Sequence, residues 1–359
     1  MKRIAIVGIQ GVPAQYGGFE TLVENLIEKK SDPEIEYTVY CSARDYSVKM
    51  ARYKGARLRY IPLFHANGVE SMPYDIISMI RSAKGYDTVM ILGVSGCIFL
   101  PVFKRMCHGK VIVHIDGREH TRAKWGKRAR RFLKKSEEIA VKYADTIIAD
   151  TKIIRDYVTE SYGRDSELIA YGGDHVLRGV PEDRQREILD RYGLEPKKYG
   201  VSIFRVEPEN NCHIILEAYA GNGQEFVFIG NWDRSAYGRK LREKYRVYDN
   251  IHLIDSIYDS DTLYTIRKNA RLSVHGHSAG GTNPSLVEAM FFGHPILAYD
   301  VEYNRATTRG SAYYFKDSTE LKGLLERDDL QGEALRRIAE RDYRWSDIVK
   351  RYEEIYESA

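Results

Sequence analysis

Three stretches of this chain hold residue types whose spacing suits a phosphorylated ligand. In Phe204-Arg205-Val206-Glu207-Pro208-Glu209-Asn210-Asn211 an arginine directly follows a strand-like run. Its guanidinium is permanently charged and donates in a bidentate fork, which fits a diphosphate leaving group. Departing diphosphate gains charge as its bond breaks, so a fixed cation stabilises the transition state more than the ground state. In Gly280-Gly281-Thr282-Asn283-Pro284-Ser285-Leu286-Val287-Glu288-Ala289-Met290, Asn283 reads as a helix N-cap and Pro284 as the first helical residue. Exposed N–H groups there favour an anion such as a pyrophosphate. Glu288 sits on an otherwise apolar helix, where an ionised acid would accept both hydroxyls of a ribose; the plainer reading is a solvated acid on a capped helix. The third stretch, Gly11-Val12-Pro13-Ala14-Gln15-Tyr16-Gly17-Gly18-Phe19-Glu20, joins the first strand to the first helix. Gly17 and Gly18 either bring backbone N–H groups close to a substrate or simply make a tight turn.

Such groups work only if strands and helices bring them to one edge. Short apolar runs at Arg3–Gly8, Glu36–Cys41, Arg57–Ile61, Thr88–Leu92, Val111–Ile115 and Thr146–Ala149 alternate with helical stretches, the first over about Phe19 to Lys29. The pattern restarts after Tyr171-Gly172-Gly173-Asp174, with runs at Val201–Phe204, Phe226–Ile229, Ile251–Ile254, Leu272–His275 and Pro295–Ala298. The alternation predicts an α/β protein of two Rossmann-like, doubly wound domains facing a cleft. The expected boundaries are 1–173 and 174–342, with a hinge at Gly172-Gly173 and a final helix over about 343–359. At 359 residues the length suits two domains. The longest uncharged apolar stretch, Met90 to Phe103, is shorter than the roughly 20 residues of a spanning helix, and no signal peptide is expected. The four cysteines lie far apart, which fits a reducing cytoplasm.

Several chemistries are disfavoured. Gly8-Ile9-Gln10-Gly11 lacks the dinucleotide spacing, and Cys41-Ser42 stands where an acid would hold a ribose. No glycine precedes Lys-Ser or Lys-Thr in a nucleoside-triphosphate loop. Asp259-Ser260-Asp261 resembles a metal-binding D-x-D, but reads better as the cap of a helix starting near Thr262. No metal and no cofactor are expected.

The charge is uneven. The total is +4, yet residues 1–173 carry +8 and residues 174–359 carry −4. Arg118 to Lys135 alone holds nine cations and one acid, with Trp125 and Phe132-Leu133 among them. It reads as a basic, partly amphipathic helix suited to an anionic membrane surface, or as a solvated helix face. No nucleic-acid module is recognisable.

The motifs together resemble the GT-B-fold, metal-independent, retaining glycosyltransferases of family 4, and most closely the bacterial rhamnosyltransferase branch of capsule and cell-wall polysaccharide synthesis. The resemblance spans nearly the whole chain. It rests on residues 11–20, Asp116-Gly117 with Arg122-Ala123-Lys124-Trp125, Arg205 to Asn211, and Gly280 to Ala289. Tyr343-Arg344-Trp345 and the last helix resemble the C-terminal helix that crosses back onto the first domain of that fold. The resemblance implies a nucleotide-sugar donor, dTDP-rhamnose, and a polyprenyl-diphosphate-linked saccharide acceptor at the inner face of the membrane. It implies catalytic roles for Asp116, which would position an acceptor hydroxyl, for Arg205, and for Glu207 on donor-sugar hydroxyls. Gly17, Gly18, Asn210, Asn211, Tyr258, His277, Thr282, Asn283 and Glu288 would meet the donor; Glu20, Arg122 and Lys124 would meet the acceptor. Plainer readings stand beside these: a turn for Asp116, a solvated acid for Glu207, aromatic packing for Tyr258, structural roles for His114 and His277, and a helix cap for Asp150. Two positions depart from the broad family: Gly280 replaces an acid, and Asn210 or Asn211 replaces a lysine. An epimerase of the same fold, or a non-catalytic sugar- or lipid-binding subunit, are the alternative functions.

Overall fold

A computed structural model describes residues 1–14, 17–62, 71–122 and 125–358. The chain divides into two compact units, residues 1–171 with 345–359, and residues 172–344. The first unit is built on a sheet of β1 (Lys2–Val7), β2 (Ile35–Ser42), β3 (Arg52–Tyr53), β4 (Ala56–Ile61), β5 (Thr88–Leu92), β6 (Lys110–Ile115), β7 (Thr146–Ala149) and β8 (Glu167–Leu168). Its strand order is β3-β4-β2-β1-β5-β6-β7-β8, parallel except where β3 meets β4. The second unit carries β9 (Tyr199–Ile203), β10 (Glu225–Gly230), β11 (Ile251–Asp255), β12 (Leu272–His275), β13 (Ile296–Tyr299) and β14 (Tyr313–Phe315). Their order is β11-β10-β9-β12-β13-β14, all parallel. This is the doubly wound α/β architecture expected from the alternation of apolar runs and helices.

The central strands are continuous apolar runs because both sheet faces are covered. Ile4, Ala5, Ile6 and Val7 are all fully buried, as are Val111, Ile112 and Val113. Helix Gly18–Glu28 buries Leu22, Val23, Leu26 and Ile27, the spacing of a single helical face. Helix Trp345–Glu357 buries Trp345, Ile348, Val349, Tyr352 and Tyr356 in the same core as β1 and β2. The ring of Tyr356 meets that of Tyr37 edge-on at 6.2 Å. The Glu353 carboxylate accepts from the backbone N–H of Ser31 at 2.7 Å and of Asp32 at 3.2 Å. A C-terminal segment of the chain is therefore an integral layer of the first unit.

Replacing Trp345 by alanine removes a fully buried indole from that layer. We expect a loss of about 3–5 kcal/mol in the unfolding transition of the first unit, read by urea titration with far-UV circular dichroism.

Candidate active site

In an open parallel sheet, loops leaving the carboxyl ends of the strands part where the strand order reverses, and ligands sit there. In the first unit the reversal lies between β1 and β5. A cavity of about 940 Å³ opens at this point. Gly8 after β1, Gly93 to Ser95 after β5, and Asp116-Gly117 after β6 line it, with Phe19, Trp125 and Phe132. Asp116 follows β6 directly. His114, one turn of the pleat earlier, does not line this cavity. Its ring is 1% exposed, edge-on to Phe19 at 5.0 Å and stacked near Tyr352. Burial pushes its pKa down to about 3, so it stays neutral at physiological pH.

Gly17 is the N-cap of the first helix and Gly18 its first residue. A Cβ at Gly17 would lie 2.6 Å from the Glu20 carboxylate, which folds back over its own helix start. Glu20 is buried and accepts from the Gln10 N–H at 3.1 Å, so this candidate acceptor ligand braces the loop between β1 and the helix.

The basic segment differs from the expected single helix. The helix begins at Lys127, behind the N-cap Gly126, and residues 119–121 form a separate 3₁₀ turn. Gly126 has the extended backbone of an N-cap (φ −71°, ψ 165°), so the helix starts at the residue after it. Leu133 is buried and, with Phe132 and Trp125, lines the cavity, while Lys127, Arg128, Arg131 and Lys135 are exposed. The apolar side of this helix thus turns inward. Arg122 donates to Glu119 at 2.9 Å, and the other Glu119 oxygen accepts from the Trp125 indole N–H at 2.9 Å. Lys124 lies outside the described residues. The turn is tied down by Glu137, which is fully buried. Glu137 pairs with His120 Nδ1 at 3.1 Å and accepts from the Tyr157 and Tyr162 hydroxyls.

In the second unit the order reverses between β9 and β12. Arg205 follows β9, half-exposed, with a guanidinium nitrogen 3.7 Å from Glu207. Asn210 is 2% exposed and donates to the Arg205 carbonyl at 2.7 Å. Asn211 adopts the left-handed conformation (φ 49°) and donates to the Gly276 carbonyl at 2.9 Å. Ser278 donates through both N–H and hydroxyl to the Glu209 carbonyl. The two asparagine side chains therefore join the loops after β9 and β12 and hold the arginine's backbone. His277 is buried, stacked on His275 at 4.4 Å and edge-on to Phe204 at 4.9 Å. Tyr258 is 77% exposed on the loop after β11, so it does not take the packing role.

Asn283 caps helix Pro284–Met290 as expected, its side chain accepting from the Ser285 N–H at 3.1 Å; Thr282 beside it is buried. Asp259 caps helix Ser260–Lys268 by accepting from the Thr262 N–H at 2.9 Å, which is the plainer of the two roles considered. Asp150 is buried, but the next helix is capped by the Thr151 hydroxyl instead. Glu288 is held by Arg267 at 2.5 Å and by His175 at 3.4 Å. Burial pushes its carboxyl up, and the Arg267 guanidinium together with the His175 hydrogen bond more than offsets this, holding it below the usual carboxylate range.

Residues 184–325 match the family of glycosyl transferases group 1, and residues 1–174 match a domain of unknown function, DUF1972. The second unit carries a group 1 glycosyltransferase domain. That match covers most of the second unit, residues 172–344. The chain is 22% identical over 409 aligned residues to an uncharacterized glycosyltransferase of Methanocaldococcus jannaschii, covering 99% of each chain. Sucrose-phosphate synthase of Thermosynechococcus elongatus superposes with a TM-score of 0.84 at 16% identity, over 100% of this chain and 99% of the other. Anabaena HepE in complex with UDP-glucose gives 0.78 at 13% identity, over 100% of both chains. These likenesses are of fold.

Glycine at position 280 has a physical reason. Its φ is +116°, a conformation L side chains rarely adopt, although open space surrounds the position. An acid there would fit sterically but strain the backbone. Sequence reasoning missed Glu119, Glu137 and Asp75. Glu119 had one signal, being the lone acid among nine cations; the other two had none.

Asp75 lies behind the cavity wall, where its carboxylate accepts from the hydroxyl of the lining residue Ser95. Burial pushes the carboxyl up to about 7, although Ser95 and the Gly96 N–H oppose the rise. In the unfolded chain it titrates near the ordinary value of about 3.9. Folding therefore retains a proton that the unfolded chain releases, and stability falls as pH rises from about 4 to about 7. Asp75→Asn should make the urea midpoint depend less steeply on pH across that window.

Proposed function

We propose that this chain is a retaining, metal-independent glycosyltransferase of family 4 that moves L-rhamnose from dTDP-rhamnose to a polyprenyl-diphosphate-linked saccharide in polysaccharide biosynthesis. The observation that carries the reading is the position of Arg205. It stands at the strand-order reversal of a group 1 glycosyltransferase domain, held by backbone that Asn210 and Asn211 fix in place. The second unit takes the nucleotide-sugar donor, in keeping with solved structures of this fold that contain UDP or UDP-glucose. Glu288 is already ionised by Arg267 and His175, ready to accept ribose hydroxyls.

The first unit takes the acceptor. Asp116 positions its hydroxyl, and the apolar cavity wall of Phe19, Trp125 and Phe132 accommodates the lipid-proximal part. The acceptor oxygen bonds to the anomeric carbon while the bond to diphosphate breaks. The acceptor proton passes to the departing phosphate on the same face. Arg205 stabilises the charge that develops there, and Glu207 meets sugar hydroxyls. No side-chain base and no metal are required by this scheme. Exposed Arg131 and Lys135, with Lys127 and Arg128 exposed at the cavity mouth, hold the enzyme to an anionic cytoplasmic leaflet by charge alone.

Arg205→Ala should lower transfer by about 100- to 1,000-fold with an unchanged circular dichroism spectrum; near-normal turnover refutes its leaving-group role. Replacing Lys127, Arg128 and Arg131 by glutamine should weaken binding to phosphatidylglycerol-containing vesicles on the order of a hundredfold. Vesicle sedimentation reads this, and unchanged binding sinks the membrane reading.

A further inference from the structure

A second concavity, of about 630 Å³, lies on the first unit and shares no lining residue with the cavity beside Asp116. Its floor is one face of three neighbouring strands. The register aligns Arg3 with Glu36, Thr38 with Arg57, and Tyr40 with Arg59, and alternation along each strand puts them all on the same side. Its wall is the end of helix Ser71–Ser82 and the following turn, contributing Arg81, Lys84 and Tyr86. The Tyr40 hydroxyl joins floor to wall by donating to the Arg81 carbonyl at 2.9 Å.

The charge inventory is lopsided. Five cations line the groove against one acid, Glu36. Arg57 neutralises Glu36 at 2.8 Å, with Arg52 a further 3.7 Å contact from outside the groove. Arg3 lies 3.9 Å from Asp87. Arg59, Arg81 and Lys84 have no ion pair among the described residues. Burial raises the Tyr40 hydroxyl, and both Arg59 and Arg81 pull it back, so the two guanidinium groups act on one atom. Surface cations are normally spread over convex, solvated ground. Three uncompensated ones lining a single concavity focus a positive potential into it, and two are arginines with the fork that fits phosphate.

We propose that this groove is a binding site for a phosphoryl group, separate from the transfer site, with Arg59, Arg81 and Lys84 as its ligands. A soluble phosphate ester and a phospholipid headgroup offer the same chemistry, and the test separates them. Full-length protein carrying Arg205→Ala, which removes the candidate donor-phosphate ligand, is titrated calorimetrically with inorganic pyrophosphate. The same protein is sedimented with phosphatidylglycerol vesicles. Both are repeated with Arg59→Ala, Arg81→Ala and Lys84→Ala added together. These side chains are exposed, so circular dichroism should be unchanged. A variant with Arg59→Lys and Arg81→Lys, which keeps the charge, controls for packing by retaining most of the binding. Loss of pyrophosphate affinity by about tenfold or more with intact vesicle binding identifies a soluble ligand. Loss of vesicle binding identifies a headgroup. If the triple variant binds both probes as the parent does, or if the parent binds neither, the proposal is overturned.

Discussion

Parallel strands impose one constraint on everything else here. Each parallel strand must be reached by a crossover on one face or the other, so these strands point the same way and their exit loops lie on the same edge. Where the order reverses, neighbouring exit loops turn to opposite faces and a gap opens between them. The reversals at β1/β5 and β9/β12 are therefore places where this chain has room for a ligand between its exit loops without interrupting its cores. Gly8, Gly93 and Asp116 come together at the first, and Arg205 and Gly276 at the second.

A gap alone does not hold a charged side chain in place. In both units the chain adds buried polar ties that fasten the loops from beneath. Asn210 and Asn211 do this with backbone carbonyls, while Glu119 and Glu137 do it with the turn after β6. Each such hydrogen bond contributes only about 0.5–1.5 kcal/mol of net stability. Their larger effect is orientational: a loop already fixed loses little entropy when substrate arrives, and its dipoles need not reorganise during reaction.

Most of the architecture was legible because long buried strands leave apolar runs and helices leave caps; Asp259 and Asn283 show this at single residues. The two-residue strands β3 and β8 were not, since two residues cannot display a period. The basic segment misled for a related reason. Counting its charges says nothing about which way Phe132 and Leu133 turn, and it is the fold that turns them toward the cavity. The asparagines after Arg205 were read as ligands because the motif places them near the donor. Asn210 instead engages the Arg205 carbonyl, and the partner of Asn211 is the Gly276 carbonyl after β12, more than sixty residues away. The Glu137 cluster was invisible for the same cause, since its partners lie 17, 20 and 25 residues distant.

The clasp of Glu119 on the Trp125 indole has an optical consequence. The chain has three tryptophans, and Trp232 and Trp345 are both fully enclosed in cores. Trp125 alone borders the cavity, and its N–H is held by a carboxylate. Indole emission shifts with the polarity around the ring and is quenched by neighbouring groups, so displacement of water from this cavity will register on one chromophore. The protein thus carries a native fluorescent reporter of first-unit occupancy, and the two enclosed indoles supply an internal reference for it.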